Sequence, residues 1–293
     1  LVLTSDLTHL SVLGALKFLD LSTRITSGPS GEKRYVFVNS VAPVQHKFIL
    51  DAAAESSGRT WYVLGEPNAS GMNAADVIVG LHDTYAAIRA ADPQAKITSP
   101  SILNFDYQCD NTCGGYQSGH SWAEEFLDGY ISLYGTGPDI DYWAIDLYPI
   151  RWDSSDPVTD DSSFLKSDLA ALRKFLDDSA TESQKPIVIT ELGIHWGFES
   201  VSFIEPGCTG WYPSGAYAET RVKNYLRDVF TWLEQNMNSL DILEWYLFST
   251  FRDLDICQLD SGYGLTLFDG SEVGASLTAV GSFYYDWVRG VRP

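Results

Sequence analysis

Positive charge is scarce in this 293-residue chain: 19 Lys and Arg stand against 39 Asp and Glu, a formal net charge of -20. Phosphate binding needs clustered cations, so a nucleic-acid partner is excluded as an expectation. No apolar run approaches the roughly 20 residues that span a bilayer, and no membrane partner is expected. The opening stretch LVLTSDLTHL has no basic n-region, which fits a mature secreted chain or a cytosolic one. No GxGxxG or GxxxxGK[ST] follows any apolar run, so a nucleotide-binding open sheet lacks its fingerprint. No GxSxG elbow is present, which removes a Ser-His-Asp hydrolase. The five histidines (His9, His46, His82, His120, His195) form neither HxH nor HExxH, and no metal or other cofactor is expected.

Cysteine is sparse as well, with four: Cys109, Cys113, Cys208 and Cys257. All four stand in loop-like sequence, where a free thiol would be exposed. Pairs Cys109–Cys113 and Cys208–Cys257 are the preferred reading and point to an oxidising compartment, hence a secreted or cell-surface protein. A structural zinc site is the rival, but CxxxC without a second matched pair supports it weakly.

What is present is a folded-protein composition, 45% hydrophobic and 13% aromatic, with neither low-complexity tract nor internal repeat. Short β-rich runs alternate with longer helical patterns. The runs are LKFLDL, RYVFVNSV, WYVLGE, KITSPSI, DYWAIDLYP, KPIVITELG and DILEWYLFS. Between them lie segments such as AADVIVGLHDTYAAIRAAD, whose Val77, Val79, Leu81, Tyr85 and Ile88 read as one apolar stripe. This alternation means a parallel sheet covered by helices. With no nucleotide fingerprint, the expected fold is a closed (β/α)8 TIM barrel, one domain over residues 1–293. Seven strands are evident. The eighth lies in VLTSDL at the N-terminus, or the barrel is irregular there.

In such barrels the chemistry sits at the C-terminal ends of the strands. Glu66 ends WYVLGE, Glu191 ends PIVITE, and Asp146 with Tyr148 ends WAIDLY. Strand alternation puts Tyr62, Leu64 and Glu66 on one face, and Ile187, Ile189 and Glu191 on another such set. Both glutamates are therefore expected to look into one mouth. Two carboxyl groups in one pocket are what glycoside hydrolysis requires: one donates a proton to the leaving oxygen, the other attacks the sugar or activates water.

GEPN after an apolar strand, followed by ITELG about 125 residues later, resembles the clan A glycoside hydrolases, which are retaining (β/α)8 barrels. Their acid/base ends strand four in Asn-Glu-Pro and their nucleophile ends strand seven, so the resemblance implies Glu66 as acid/base and Glu191 as nucleophile. TWYVLGEPN…YAAIRAADPQAKITSPS is similar to the acid/base segment with its next helix and strand. DYWAIDLYP is similar to the strand-six His-x-Tyr region, and SGYGLTLFDGSEVGASLTAVGSFYYDW to the close of such barrels. Within the clan, the compact layout and the LKFLDLS…RYVFVNS start most resemble the family 128 β-1,3-glucanases. Two positions depart. Gly65 stands where the family has the Asn that contacts the sugar 2-hydroxyl, and Asp146 where it has His. Asn68 is a candidate replacement for that contact, and a backbone reason for Gly65 is an equal alternative.

Sugar rings present apolar faces that aromatic side chains bury. The substrate-binding candidates are Asn68, Asp146, Tyr148, Trp152, His195, Trp196, Trp211 and Phe248, while Trp143, Trp232 and Trp287 read as packing residues. Asn68-Ala69-Ser70 fits a glycosylation sequon but falls beside the expected site and reads as coincidence. The expected function is a secreted, endo-acting retaining hydrolase of a polysaccharide, most readily a β-glucan, working as a monomer. The alternatives are a carbohydrate-binding pseudoenzyme on the same barrel, or a glycosidase or transglycosylase for mannan, xylan or arabinan.

Overall fold

The computed structural model describes residues 2–3, 12–13, 17–20, 33–38, 46–55, 57–109, 115–149, 161–193, 199–200, 211–212, 219–248, 267–268 and 274–292. Its strands are β1 (Val2–Leu3), β2 (Lys17–Asp20), β3 (Lys33–Val38), β4 (Thr60–Val63), β5 (Lys96–Ile97), β6 (Ile102–Leu103), β7 (Trp143–Leu147), β8 (Ile187–Leu192), β9 (Glu199–Ser200), β10 (Trp211–Tyr212) and β11 (Ile242–Leu247). The helices are α1 (His46–Glu55), α2 (Ala74–Ala91), α3 (Gly119–Tyr134), α4 (Ser163–Asp178), α5 (Glu219–Asn236) and α6 (Ala279–Val288).

Nine strands form one sheet in the order β5-β4-β3-β2-β1-β11-β8-β7-β6, and every pairing in it is parallel. β5 and β6 are two halves of one course, residues 96–103. On one side this course pairs with β4 and, through Ser101, with Gly65. On the other it meets the β7 course at Tyr142 through Thr98, and β7 itself through β6. The backbone ladder runs through both contacts: Thr98 N–H donates to Trp61 O and Ser99 N–H to Tyr142 O. The sheet thus closes on itself as eight parallel courses, a (β/α)8 barrel. Val2–Leu3, within VLTSDL, supplies the eighth by pairing with both β2 and β11.

Local chemistry explains the helix ends that are described. The Ser118 side chain accepts from Ser121 N–H at 3.2 Å, and Gly135 ends α3 at φ 74, donating to Ile131 O. That left-handed turn costs glycine little. Thr278 caps α6 by accepting from Gly281 N–H at 2.9 Å. On α2 the buried stripe is Ala74, Val77, Ile78, Leu81, Tyr85 and Ile88. Val79, expected among them, is 55% exposed, because residues two apart on a helix do not share a face.

Two apolar layers separate the helices from the barrel lumen. Trp61, Val63, Ile97, Ile145, Ile187 and Ile189 pack outward against helix residues such as Leu81, Phe126 and Leu169. Tyr62, Ala144, Val188 and Tyr246 pack inward. Trp143 is fully buried and donates to Glu182 Oε2 at 2.8 Å. Trp287 donates to Glu234 Oε1 at 3.0 Å, and Trp232 packs at the edge of the outer layer. All three serve packing.

Candidate active site

At the C-terminal ends of β4, β7 and β8, Glu66, Asp146 and Glu191 converge, each offering an oxygen within 4.8 Å of the others'. The two glutamates are half-buried, whereas Asp146 is fully enclosed.

Strand alternation alone does not bring the glutamates together. Leu64 and Glu66 both have left-handed backbones, φ 62 and φ 48, on either side of Gly65. Such a conformation is uncommon for residues with a side chain, and it concentrates at functional sites. Its first effect is to turn Leu64 outward, into the layer of Trp61 and Val63 and away from Tyr62. The second twist brings Glu66 to the mouth. The kink is pinned on both sides: Ser101 N–H donates to Leu64 O at 2.9 Å and Glu66 N–H to Ser101 O at 2.8 Å. Beyond Pro67 the chain turns, with the Glu66 carbonyl accepting from the N–H groups of Ala69 and Ser70.

On β8 the irregularity is a bulge. Ile145 pairs with Ile189, but Asp146 pairs with Glu191, so Thr190 is an extra residue. The β11 side agrees, Trp245 opposing Ile189 and Leu247 opposing Leu192. A bulge reverses the alternation beyond it. Ile187 and Ile189 face the helices, so the expected set Ile187, Ile189, Glu191 is not a single face.

Tyr148 meets the expected pair directly, its hydroxyl donating to Glu191 Oε2 at 2.5 Å. Burial first, and then the Glu191 and Asp146 charges, hold that phenol far above its ordinary range, so it stays a donor. Gly193 makes room for the ring: a Cβ there would lie 3.3 Å from Tyr148 Cε1 and 3.1 Å from Phe248 O. Asn104, which no sequence pattern singled out, fixes the Tyr148 backbone from a left-handed position at φ 46. Its amide donates to Tyr148 O at 2.8 Å, and its Oδ1 accepts from Tyr148 N–H at 3.0 Å.

Asp146 sits below the glutamates rather than beside a substrate. Its Oδ1 accepts from Thr190 Oγ1 at 2.5 Å and its Oδ2 from the Tyr62 hydroxyl at 3.3 Å. Burial pushes this carboxyl up to about 6, against the pull of donors from Ser101, Thr190, Tyr62 and the Glu191 amide. Three carboxylates at this spacing meet the distance requirement of a cation site, and each Asp146 oxygen also accepts from a protein donor.

Asn68 is likewise turned away from the mouth, being 1% exposed. Its amide donates to Leu103 O at 2.9 Å and Gln117 O at 3.1 Å, while its Oδ1 accepts from Leu103 N–H. It ties the loop after Glu66 to β6, so it neither replaces the missing sugar contact nor presents a glycosylation site. Phe248 is half-buried, its ring edge-on to Tyr148 with centroids 6.0 Å apart. Trp211 lies in β10, which pairs antiparallel with β9. Trp152, His195 and Trp196 lie outside the described residues, as do Cys113, Cys208 and Cys257. Cys109 is not a free thiol.

No family model and no curated protein matches this sequence. Solved structures do. An endo-β-1,3-glucanase of glycoside hydrolase family 128, subgroup I, from Amycolatopsis mediterranei, in complex with laminaritriose, superposes at a TM-score of 0.59 and 16% identity, over 97% of this chain and 95% of that one. A subgroup II endo-β-1,3-glucanase from Pseudomonas viridiflava gives 0.61 and 18%, over 96% and 92%. A subgroup III curdlan-specific exo-β-1,3-glucanase from Blastomyces gilchristii gives 0.58 and 15%, over 97% and 96%. The chain has the fold of these glucanases. At the level of the fold, the expected likeness to family 128 therefore holds over nearly the whole chain.

Proposed function

We propose that this protein is a retaining glycoside hydrolase that cleaves β-1,3-glucan internally, with Glu66 as acid/base and Glu191 as nucleophile. The observation that carries the reading is the closeness of two half-buried carboxylates at the barrel mouth, with oxygens within 4.8 Å. Retaining enzymes hold their carboxyl groups about 5–5.5 Å apart and inverting ones roughly 6.5–9.5 Å. An approach of single oxygens to within 4.8 Å supports the shorter arrangement. The Tyr148 hydroxyl favours the ionised form of Glu191, as a nucleophile requires. Glu191 attacks the anomeric carbon while Glu66 protonates the departing oxygen. Glu66 then takes a proton from water, which releases the sugar from Glu191.

The substrate class is supported by the fold neighbours, endo- and exo-β-1,3-glucanases solved with laminari-oligosaccharides or glucose. In the Amycolatopsis enzyme, variants at either of two glutamates were solved with such ligands. The reading carries with it a secreted or cell-surface setting, disulfides Cys109–Cys113 and Cys208–Cys257, and a monomer. The test is reducing-sugar release from laminarin, curdlan, mannan, xylan and arabinan. Release from the β-1,3-glucans, lost in Glu191→Gln with the fold intact, is the expected result. A wild-type chain that releases nothing from any of them defeats the reading.

A further inference from the structure

Asp146 is wholly buried, yet one of its oxygens lies within 4.8 Å of oxygens on both Glu66 and Glu191. Its donors come from the segments that hold those glutamates. Tyr62 is in the strand that leads to Glu66. Ser101, another donor, uses its own carbonyl to hold the Glu66 amide. Thr190 is the bulge residue, and the Glu191 backbone N–H also donates. The Ser101 and Thr190 hydroxyls stand 2.7 Å apart. Each has a single proton, so with Thr190 donating to Asp146, the Ser101 proton is shared between Thr190 and Asp146. These donors favour the ionised carboxylate against the burial that pushes it up to about 6, so Asp146 carries its charge above that pH.

We propose that Asp146 is a positioning residue: it fixes Glu191 through the Thr190 bulge and the Glu191 amide, and its negative charge keeps a proton on Glu66. The proposal rests on the reading of Glu66 as acid and Glu191 as nucleophile. The titratable groups facing Asp146 are Glu66 at the end of the β4 course, Glu191 on β8, Tyr62 on β4 and Tyr148 just beyond β7. Burial first, and then nearby carboxylates, keep both tyrosines protonated. Three carboxyl groups at this spacing repel one another when ionised, so the set retains a proton. Tyr148 donates to Glu191 and favours its charge. Burial favours the proton on Asp146, but the donors from Ser101, Thr190, Tyr62 and the Glu191 amide oppose it. Above about pH 6 the proton is therefore assigned to Glu66.

The test compares wild type with Asp146→Asn. Removing the charge moves the alkaline limb of the kcat/KM profile down by about one pH unit, with KM within about twofold. A limb that stays in place overturns the proposal. The same coupling is read without turnover by 13C NMR of protein labelled at the glutamate carboxyl carbon, with Glu66 assigned by Glu66→Gln. Its titration midpoint falls by a similar amount in Asp146→Asn, and an unmoved midpoint contradicts the proposal whether or not glucan is cleaved. A moved midpoint in a chain that cleaves no glucan keeps the coupling and defeats the glycosidase reading. If Asp146→Asn does not fold, Thr190→Val and Thr190→Ser decide. The first lowers kcat about tenfold at unchanged KM and the second restores it, while equal activity of the two removes the positioning role.

Discussion

Two aspartates stand near opposite ends of β7, Asp141 before it and Asp146 within it, and their surroundings are opposite. Asp141, just before the strand, accepts from Lys96 Nζ at 2.9 Å, Arg89 Nη2 at 2.8 Å and Ile97 N–H at 2.9 Å. Burial alone would raise its carboxyl, but these donors outweigh it and hold the group below the usual range. Asp146, near the strand's other end, has hydroxyl and amide donors around it, and burial pushes it up to about 6. One residue type, before a strand and near its far end, is therefore tuned in opposite directions. The difference follows the polarity of the barrel, whose N-terminal rim serves stability and whose C-terminal rim serves chemistry.

Substitutions at the upper rim carry the largest expected effects. Glu191→Gln lowers glucan hydrolysis by about 10⁴-fold or more, since the covalent route is lost. Glu66→Gln costs about 10²–10⁴-fold on glucan, and less on an aryl glucoside whose leaving group needs no proton. Equal losses on both substrates would move the acid role elsewhere. At the lower rim, Asp141→Asn leaves kcat unchanged and lowers stability by about 1–3 kcal/mol, read by urea unfolding at pH 7.

The pH dependence of stability separates the two aspartates further. Asp141 is depressed in the folded state, so its contribution is present above the unfolded carboxylate pKa of about 3.9 and is lost as pH falls through the folded value. The deficit of Asp141→Asn therefore grows as pH rises out of that acidic window. Asp146 is raised, so its burial is least costly at low pH and costs more as pH climbs from about 4 to about 6. Relative to wild type, Asp146→Asn gains stability across that window. Slopes of the same sign in thermal melts would erase the distinction.

Much of the frame was legible in the sequence, including the strand courses and the two strand-end glutamates. The local backbone was not. Period-two alternation assumes regular strands, and it cannot register left-handed residues at 64 and 66 or an extra residue at Thr190. It therefore reached Glu66 and Glu191 through faces that Leu64, Ile187 and Ile189 do not share. Ser101, Thr190 and Asn104 were missed for a related reason. Each is a small polar residue in or just beyond an apolar strand run, and its partner is supplied by a distant segment: Ser101 and Thr190 are 89 positions apart. That polarity was the available signal. Asn68 was misassigned because adjacency to Glu66 in sequence says nothing of direction, and the turn after Pro67 points its amide at Leu103 and Gln117.

The central claim, a nucleophile at Glu191 served by an acid at Glu66, is tested most directly by trapping. A 2-deoxy-2-fluoro laminaribioside with a dinitrophenyl leaving group is incubated with the protein, which is then digested and analysed by mass spectrometry. The account predicts one equivalent of sugar on Glu191, formed more slowly in Tyr148→Phe. A label on Glu66 or Asp146, or product released with inverted anomeric configuration, would contradict it.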